Sequence, residues 1–155
     1  MNIRQARAAD IPALVRLRMA LFCEVGELIS PDADPSLFHA TLDYFTRASE
    51  EGSAFSWVAE FNHQIVAAGT LALFVRPPYP GNLAGREAYL LNMYTLPAWR
   101  ARGIATALLD AMTAHARAMG LGKVWLHASD AGRPLYERIG FVANPAYMEW
   151  QSPAI

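Results

Sequence analysis

The chain has 155 residues, 54% of them hydrophobic and 17% charged, which suits one ordered domain over residues 1–155 and excludes a disordered or collagen-like chain. Thirteen Lys and Arg against 14 Asp and Glu give a formal charge of −1, so no global positive field gathers nucleic acid or an anionic membrane. The lone Cys23 excludes an internal disulfide framework, and the charged start MNIRQARAADIP lacks the apolar centre of a signal peptide, so a cytoplasmic location is expected.

Ile3 opens a short strand. Asp10, ahead of Ile11 and Pro12, supplies a helix cap with proline in the first turn. Ile11, Leu14, Val15, Leu21, Phe22 and Val25 then keep one face apolar up to Gly26, and the helix is expected to stop near Glu24. ELISPDADP is turn-rich, and Asp34 with Pro35 repeats the cap signal for a second helix to about Ser49. Ala54–Phe61 and Gln64–Val75 are β-rich runs joined by Asn62 and His63, the spacing of a tight hairpin. The uncharged stretch Ile65–Val75 is too short to span a membrane and reads as a buried strand. PPYPGNLAGRE, from Pro77 to Glu87, is expected to be a surface loop, because its prolines remove ladder donors.

Ala88–Leu96 is a third apolar run, stopped by Pro97. A helix from about Gly103 to Met119 is expected to bury Ile104, Leu108, Leu109, Met112 and Met119. GLG at positions 120 to 122 breaks it, VWLHA from Val124 forms a strand, and Pro134–Ile139 a short helix ending at Gly140. Phe141–Gln151 is expected to add a final β region able to pair across a homodimer. The order describes an α/β chain with a mixed sheet.

The segment RARGIATALL carries the first chemical signal. The leading N–H groups of a helix lack intrahelical partners and sit at the positive end of its dipole, so a loop entering a helix can bind phosphate. Gly103 lets the backbone approach an anion, Ala105 keeps the wall small, Thr106 adds a hydroxyl, and Arg100 and Arg102 can neutralise charge. Taken alone, two arginines at a helix start are as readily explained by solvation. A Walker-type loop is excluded because Gly122-Lys123 is followed by Val124, and GLG before a strand is the wrong order for a dinucleotide fingerprint.

The run MYTLPAWRARGIATALL resembles the acyl-CoA-binding motif of the GNAT N-acetyltransferases, in which a strand, a proline and R/Q-x-x-G-x-G/A lead into a helix. Arg100, Gly103 and Ala105 fill that pattern. SDAGRPLYERIGF resembles the family's closing signature through Leu135, Tyr136, Glu137, Gly140 and Phe141. The resemblance implies a single-domain fold with a mixed six- to seven-stranded sheet, about four helices and splayed strands at an acyl-CoA cleft. It implies acetyl-CoA as cosubstrate and direct transfer to an amine of a small molecule or protein. The pantetheine arm would pair with the backbone at Met93, Tyr94 and Thr95. The pyrophosphate would lie on the N–H groups of Ala101, Arg102, Gly103, Ile104, Ala105 and Thr106. Tyr136 would donate to the departing sulfur, and Ser129 stands where many relatives have an asparagine that contacts the coenzyme. Without the motif, Tyr136 would read as a ring packed in the core with its hydroxyl at the surface.

The base is less legible. The third long strand offers only Asn92, which can orient a water but takes no proton at neutral pH. Glu24, Glu27, His127, Asp130 and Glu149 are the other candidates, and His127 has the most suitable reference pKa. His39, His63 and His115 show no metal-ligand spacing with one another or with Cys23, so no metal is expected. Trp57, Trp99, Trp125 and Trp150 read as packing residues, with Trp99 near enough to the arginine loop to cover a cofactor. The acceptor pocket falls to GELISPDADP and the Pro77–Glu87 loop, where Glu27, Asp32 and Asp34 could attract a cationic amine, although solvated loop acids are the commoner outcome. Two other readings stand beside the enzyme: an acyl-CoA sensor without turnover, and a phosphate-binding regulatory domain that leaves the tyrosine motif unexplained.

Overall fold

The computed structural model describes residues 1–153. Among these, five strands form one sheet in the order β1-β2-β3-β4-β5. The strands are β1 (Asn2–Gln5), β2 (Ala54–Phe61), β3 (Gln64–Val75), β4 (Arg86–Thr95) and β5 (Lys123–Trp125). The first four pair antiparallel, and only β4 and β5 run parallel, joined by a helical crossover. The helices are α1 (Ile11–Glu24), α2 (Pro35–Glu51), α3 (Ile104–Ala118) and α4 (Arg133–Ile139).

Local chemistry explains most of these boundaries. The Asp34 carboxylate accepts the Leu37 N–H at 2.9 Å to start α2, and Gly52 closes it in the left-handed region at φ +67°. Asn62 and His63 both take positive φ, 46° and 62°, as a two-residue type I′ hairpin requires. Arg4 ties β1 to its neighbours, bonding both oxygens of Asp10 at 2.7 and 3.0 Å and Glu60 at 2.8 Å.

Two apolar layers sandwich the sheet. On one face α1 and α2 bury Leu14, Val15, Met19 and Phe45 against Val58, Ala68 and Tyr94. On the other, α3 buries Leu108, Leu109 and Met112 against Trp57, Ala67, Leu71 and Leu90.

Several expectations shift. The sheet has five strands among the described residues, because Phe141–Gln151 carries none. There the Asn144 side chain accepts the Ala146 N–H at 3.0 Å around Pro145, an Asx turn that interrupts extension, and Trp150 is 82% exposed rather than packed. VWLHA leaves the strand at Trp125, so His127 lies beyond its end. β4 starts at Arg86, two residues before the expected Ala88. Val25 and Met119 fall just past the ends of α1 and α3 and leave the buried stripe; Ala116 is buried in α3.

Candidate functional site

The parallel pair forms a V. At its apex the register runs Glu87 to Lys123, Ala88 to Val124 and Tyr89 to Trp125, and it ends there. The Gly122 N–H reaches the Arg86 carbonyl at 3.0 Å, which also accepts the Asn82 amide at 3.1 Å. The Asn82 amide bonds the Tyr79 hydroxyl at 3.0 Å, and that hydroxyl donates to Glu87 Oε1 at 2.6 Å. Arg76 reaches both Glu87 oxygens at 3.3 Å. Burial alone would raise the Glu87 pKa, but Tyr79 and Arg76 outweigh it and hold the carboxyl below the usual range.

Past Tyr89 the strands part. β4 continues to Thr95 with no partner on its β5 side, and unpaired backbone groups of a strand need partners. A bulge lies in this free half. Ala68 pairs with Tyr94 and Thr70 with Leu91, so Asn92 and Met93 together oppose Gly69. Asn92 adopts φ +58°, and a Cβ on Gly69 would lie 2.3 Å from the Met93 sulfur and 2.7 Å from that of Met112, so any larger residue beneath the bulge displaces both methionine side chains. The bulge also switches faces. Leu90 points to α3, but after the extra residue Met93 does so too and Tyr94 turns to α1. The Asn92 amide is buried, 3% exposed, with no hydrogen-bond partner among the described residues.

At the mouth of the V the chain passes through Ala101 at φ +59° and Gly103 at φ +75° into α3. Ala107 is the first residue of that helix to donate its N–H, to the Gly103 carbonyl at 3.0 Å. The N–H groups from Ala101 to Thr106 thus precede the helical ladder, the arrangement of backbone donors that suits an anion. The arginines are otherwise engaged. Arg100 donates to the Thr95 carbonyl at 2.9 Å and to Glu24 at 2.5 Å, over the Tyr94 ring. This pairing holds the Glu24 carboxyl below the usual range. Arg102 donates to the Ala98 carbonyl at 3.1 Å and lies over Trp99, which packs on Phe61. A groove of about 860 Å³ opens from Gly103 and Thr106 along α3 to Arg117, and to Leu135 and Arg138 on α4.

Across the mouth, Tyr136 on α4 packs its ring edge-on to Phe141, and burial pushes its pKa up. Tyr89 is within electrostatic reach of it, and the Tyr89 hydroxyl meets His127 Nδ1 at 2.6 Å. Ser129 serves the turn before α4, where its Oγ accepts the Gly132 N–H at 3.1 Å. Glu27, Asp32 and Asp34 are exposed, and Asp34 is occupied as a helix cap. The structure thus gathers Asn92, Met93, Tyr94, Thr95 and the Ala101–Thr106 turn along one lip. Ser129 and Tyr136 lie on the other side, with His127 beside them.

Sequence reasoning singled out neither Tyr89, which meets His127, nor Arg117 and Arg138, which line the groove, nor Arg18 on α1. A polar residue inside an apolar helical stripe was the available signal for Arg18, since Leu14 and Phe22 lie one turn to either side. Among the described residues no group of three or more His, Cys, Asp or Glu is placed to hold a metal, and no helix is long and apolar enough to cross a membrane.

Helices on both faces of a mixed sheet, with a parallel pair that parts beside a helix start rich in free N–H groups, define an acetyltransferase architecture. The model of the acetyltransferase (GNAT) family matches residues 22–141, and the chain belongs to that family. The chain is 29% identical over 146 residues to the uncharacterized N-acetyltransferase YjgM of Escherichia coli K12, covering 90% of this chain and 80% of that one. A structure of a predicted acetyltransferase with acetyl-CoA from Clostridium acetobutylicum is 33% identical, with a TM-score of 0.87 over 97% of this chain and 95% of that one. A GCN5-related N-acetyltransferase from Ralstonia eutropha is 29% identical, with a TM-score of 0.80 over 99% and 97% of the two chains.

Proposed function

We propose that the chain transfers the acetyl group of acetyl-CoA directly to an amine nitrogen, with Tyr136 as general acid. One observation carries this reading: a free backbone lip and an unladdered helix start face a half-buried tyrosine across an opened strand pair. Acetyl-CoA, which the Clostridium acetobutylicum structure contains, is the cosubstrate that suits this cleft. Its pyrophosphate would rest on the Ala101–Thr106 N–H groups, its pantetheine along Met93–Thr95, and the rest of the nucleotide in the groove beside Arg117 and Arg138.

In the reaction the amine attacks the thioester carbon, the C–S bond breaks, the nitrogen loses one proton and the sulfur gains one. A backbone N–H freed by the Asn92 bulge can polarise the carbonyl. A phenol titrates near pH 10 in its ordinary state, and burial keeps Tyr136 protonated at neutral pH, ready to donate to the departing sulfur. In the tautomer that donates from Nδ1 to the Tyr89 oxygen, His127 has Nε2 free to take the amine proton.

The test is Tyr136→Phe, assayed by thiol release from acetyl-CoA over an amine panel. Turnover is expected to fall by about 100-fold, within the usual range for a lost general acid, with acetyl-CoA affinity nearly unchanged. Equal turnover across the pH range rejects the acid role. A melting temperature raised by acetyl-CoA with no thiol release on any acceptor supports the sensor reading instead.

A further inference from the structure

The inward face of α1 carries one side chain that the mechanism above does not use. Arg18 sits one turn from Leu14 and one from Phe22, half-buried, with its guanidinium 4.7 Å from the centre of the Phe22 ring. Arg4, Arg76 and Arg100 each have a carboxylate within hydrogen-bond reach. Arg18 has neither an ion pair nor a side-chain hydrogen bond among the described residues.

Its surroundings locate it in the cleft. Tyr44 on α2, Tyr89 on β4 and the exposed Glu27 lie within its electrostatic reach. Tyr89 is in reach of both Arg18 and Tyr136, and it also bonds His127. Arg18 therefore approaches the reacting end of the V from the α1 side, and Tyr136 approaches from the α4 side. Burial depresses the Arg18 pKa, yet a guanidinium stays charged at any working pH.

A cation withdrawn from water without a counter-charge is costly, and it persists where function uses it. The guanidinium fork presents parallel N–H donors that match two oxygens of a carboxylate or phosphate. A purely cationic amine entering here would instead meet a positive charge that no carboxylate bonds.

Resting on the transferase reading, we propose that the amine acceptor also carries an oxyanion, a carboxylate or a phosphate, and that Arg18 binds it and so turns the amine toward the thioester. The acceptor's negative end replaces the missing carboxylate partner. This differs from the alternative of a cation drawn in by Glu27, Asp32 and Asp34, which are exposed.

The experiment measures thiol release from acetyl-CoA with acceptor pairs that differ in the anion: L-lysine with cadaverine, L-ornithine with putrescine, and glucosamine 6-phosphate with glucosamine. The amino-acid pairs report a carboxylate and the sugar pair a phosphate. Wild type is expected to favour the anionic member of at least one pair by about tenfold or more in kcat/KM, the size of one well-made charged contact. In Arg18→Met that ratio should collapse toward one, and in Arg18→Lys it should partly return. Melting temperature and acetyl-CoA affinity of the variants should match wild type. Equal use of both members of every pair, or a preference that survives in Arg18→Met, overturns the assignment. If acetyl-CoA binds but no acceptor releases thiol, the transferase reading fails on its own. Calorimetric binding of the same pairs to the CoA-loaded protein then decides the anion site. Binding of an anionic member that Arg18→Met abolishes upholds it, and equal or absent binding removes it.

Discussion

The apex and the mouth of the β4–β5 pair are built from the same two strands and solve opposite problems. At the apex the Glu87 carboxylate is held in a closed network: Tyr79 and Arg76 bond it directly, and Asn82 and Gly122 tie the Tyr79 hydroxyl and the Arg86 carbonyl into the same cluster. At the mouth the backbone of β4 and the start of α3 keep donors in reserve. Saturated polar groups fix geometry, and unsatisfied ones create affinity. The lesson is that substitutions at the apex should cost stability, and substitutions at the mouth should cost binding.

Gly85→Ala tests the apex most severely. The added Cβ would sit 1.8 Å from the Arg76 carbonyl oxygen, at a residue already at φ +63°, so the loop cannot keep its course. A loss of about 3 kcal/mol is expected in urea unfolding, and a loss below about 1 kcal/mol would show that the loop is not a rigid part of the apex.

Glu87→Ala follows at about 2 kcal/mol, because it strands the Tyr79 hydroxyl and removes the partner of Arg76. The Glu87 pKa is lowered on folding, so its contribution is complete above the unfolded value near pH 4.3 and is lost as pH falls through the folded value. The variant should therefore lose less stability on acidification than wild type does. Parallel acid curves for the two proteins would refute this account.

At the mouth, Gly103→Asp puts a side chain and a negative charge into the concavity. The Cβ meets nothing within 4 Å, and aspartate is among the residues that tolerate the left-handed φ of +75° at about 1 kcal/mol, so the fold should survive while acetyl-CoA affinity falls by about tenfold, or about 1.4 kcal/mol. Unchanged affinity would place the pyrophosphate elsewhere. Arg100→Ala should cost less, at most about 0.5 kcal/mol in the same titration, because its guanidinium is already held by Glu24 and the Thr95 carbonyl. A larger loss than for Gly103→Asp would return the weight to side-chain charge.

Much of this molecule was legible in the sequence wherever the determinants are local. Asp34 with Pro35, Asn62 with His63, and the glycine at the head of α3 act through neighbouring residues, and the elements they bound appear where expected. The Pro77–Gly85 stretch was legible as a loop, but Glu87, expected in that loop, lies in β4 and was not legible as a buried charge, since its partners are set by the fold of the loop rather than by spacing. The bulge was hidden for a related reason. AYLLNMYTL alternates poorly because its two halves are out of phase, and only the pairing with Gly69 reveals where the phase changes. The final β region failed through Asn144 and Pro145, whose local turn outcompetes an apolar pattern with no neighbouring strand to pair with.

β5 joins the sheet through a register of only three residues. Beyond it the chain, including Tyr136, is held by this short seam and by side-chain packing of Leu135, Ile139 and Phe141 on the α3 layer, and a three-residue ladder opens at lower free energy than the four-stranded body. A thioester arm lying between the lips would bond to both and add the rungs that the seam lacks. On the proposed transferase reading the cosubstrate would then serve as a missing strand of the protein: an acceptor arriving first would meet an unfinished cleft, whereas one arriving second would meet Tyr136 set in place.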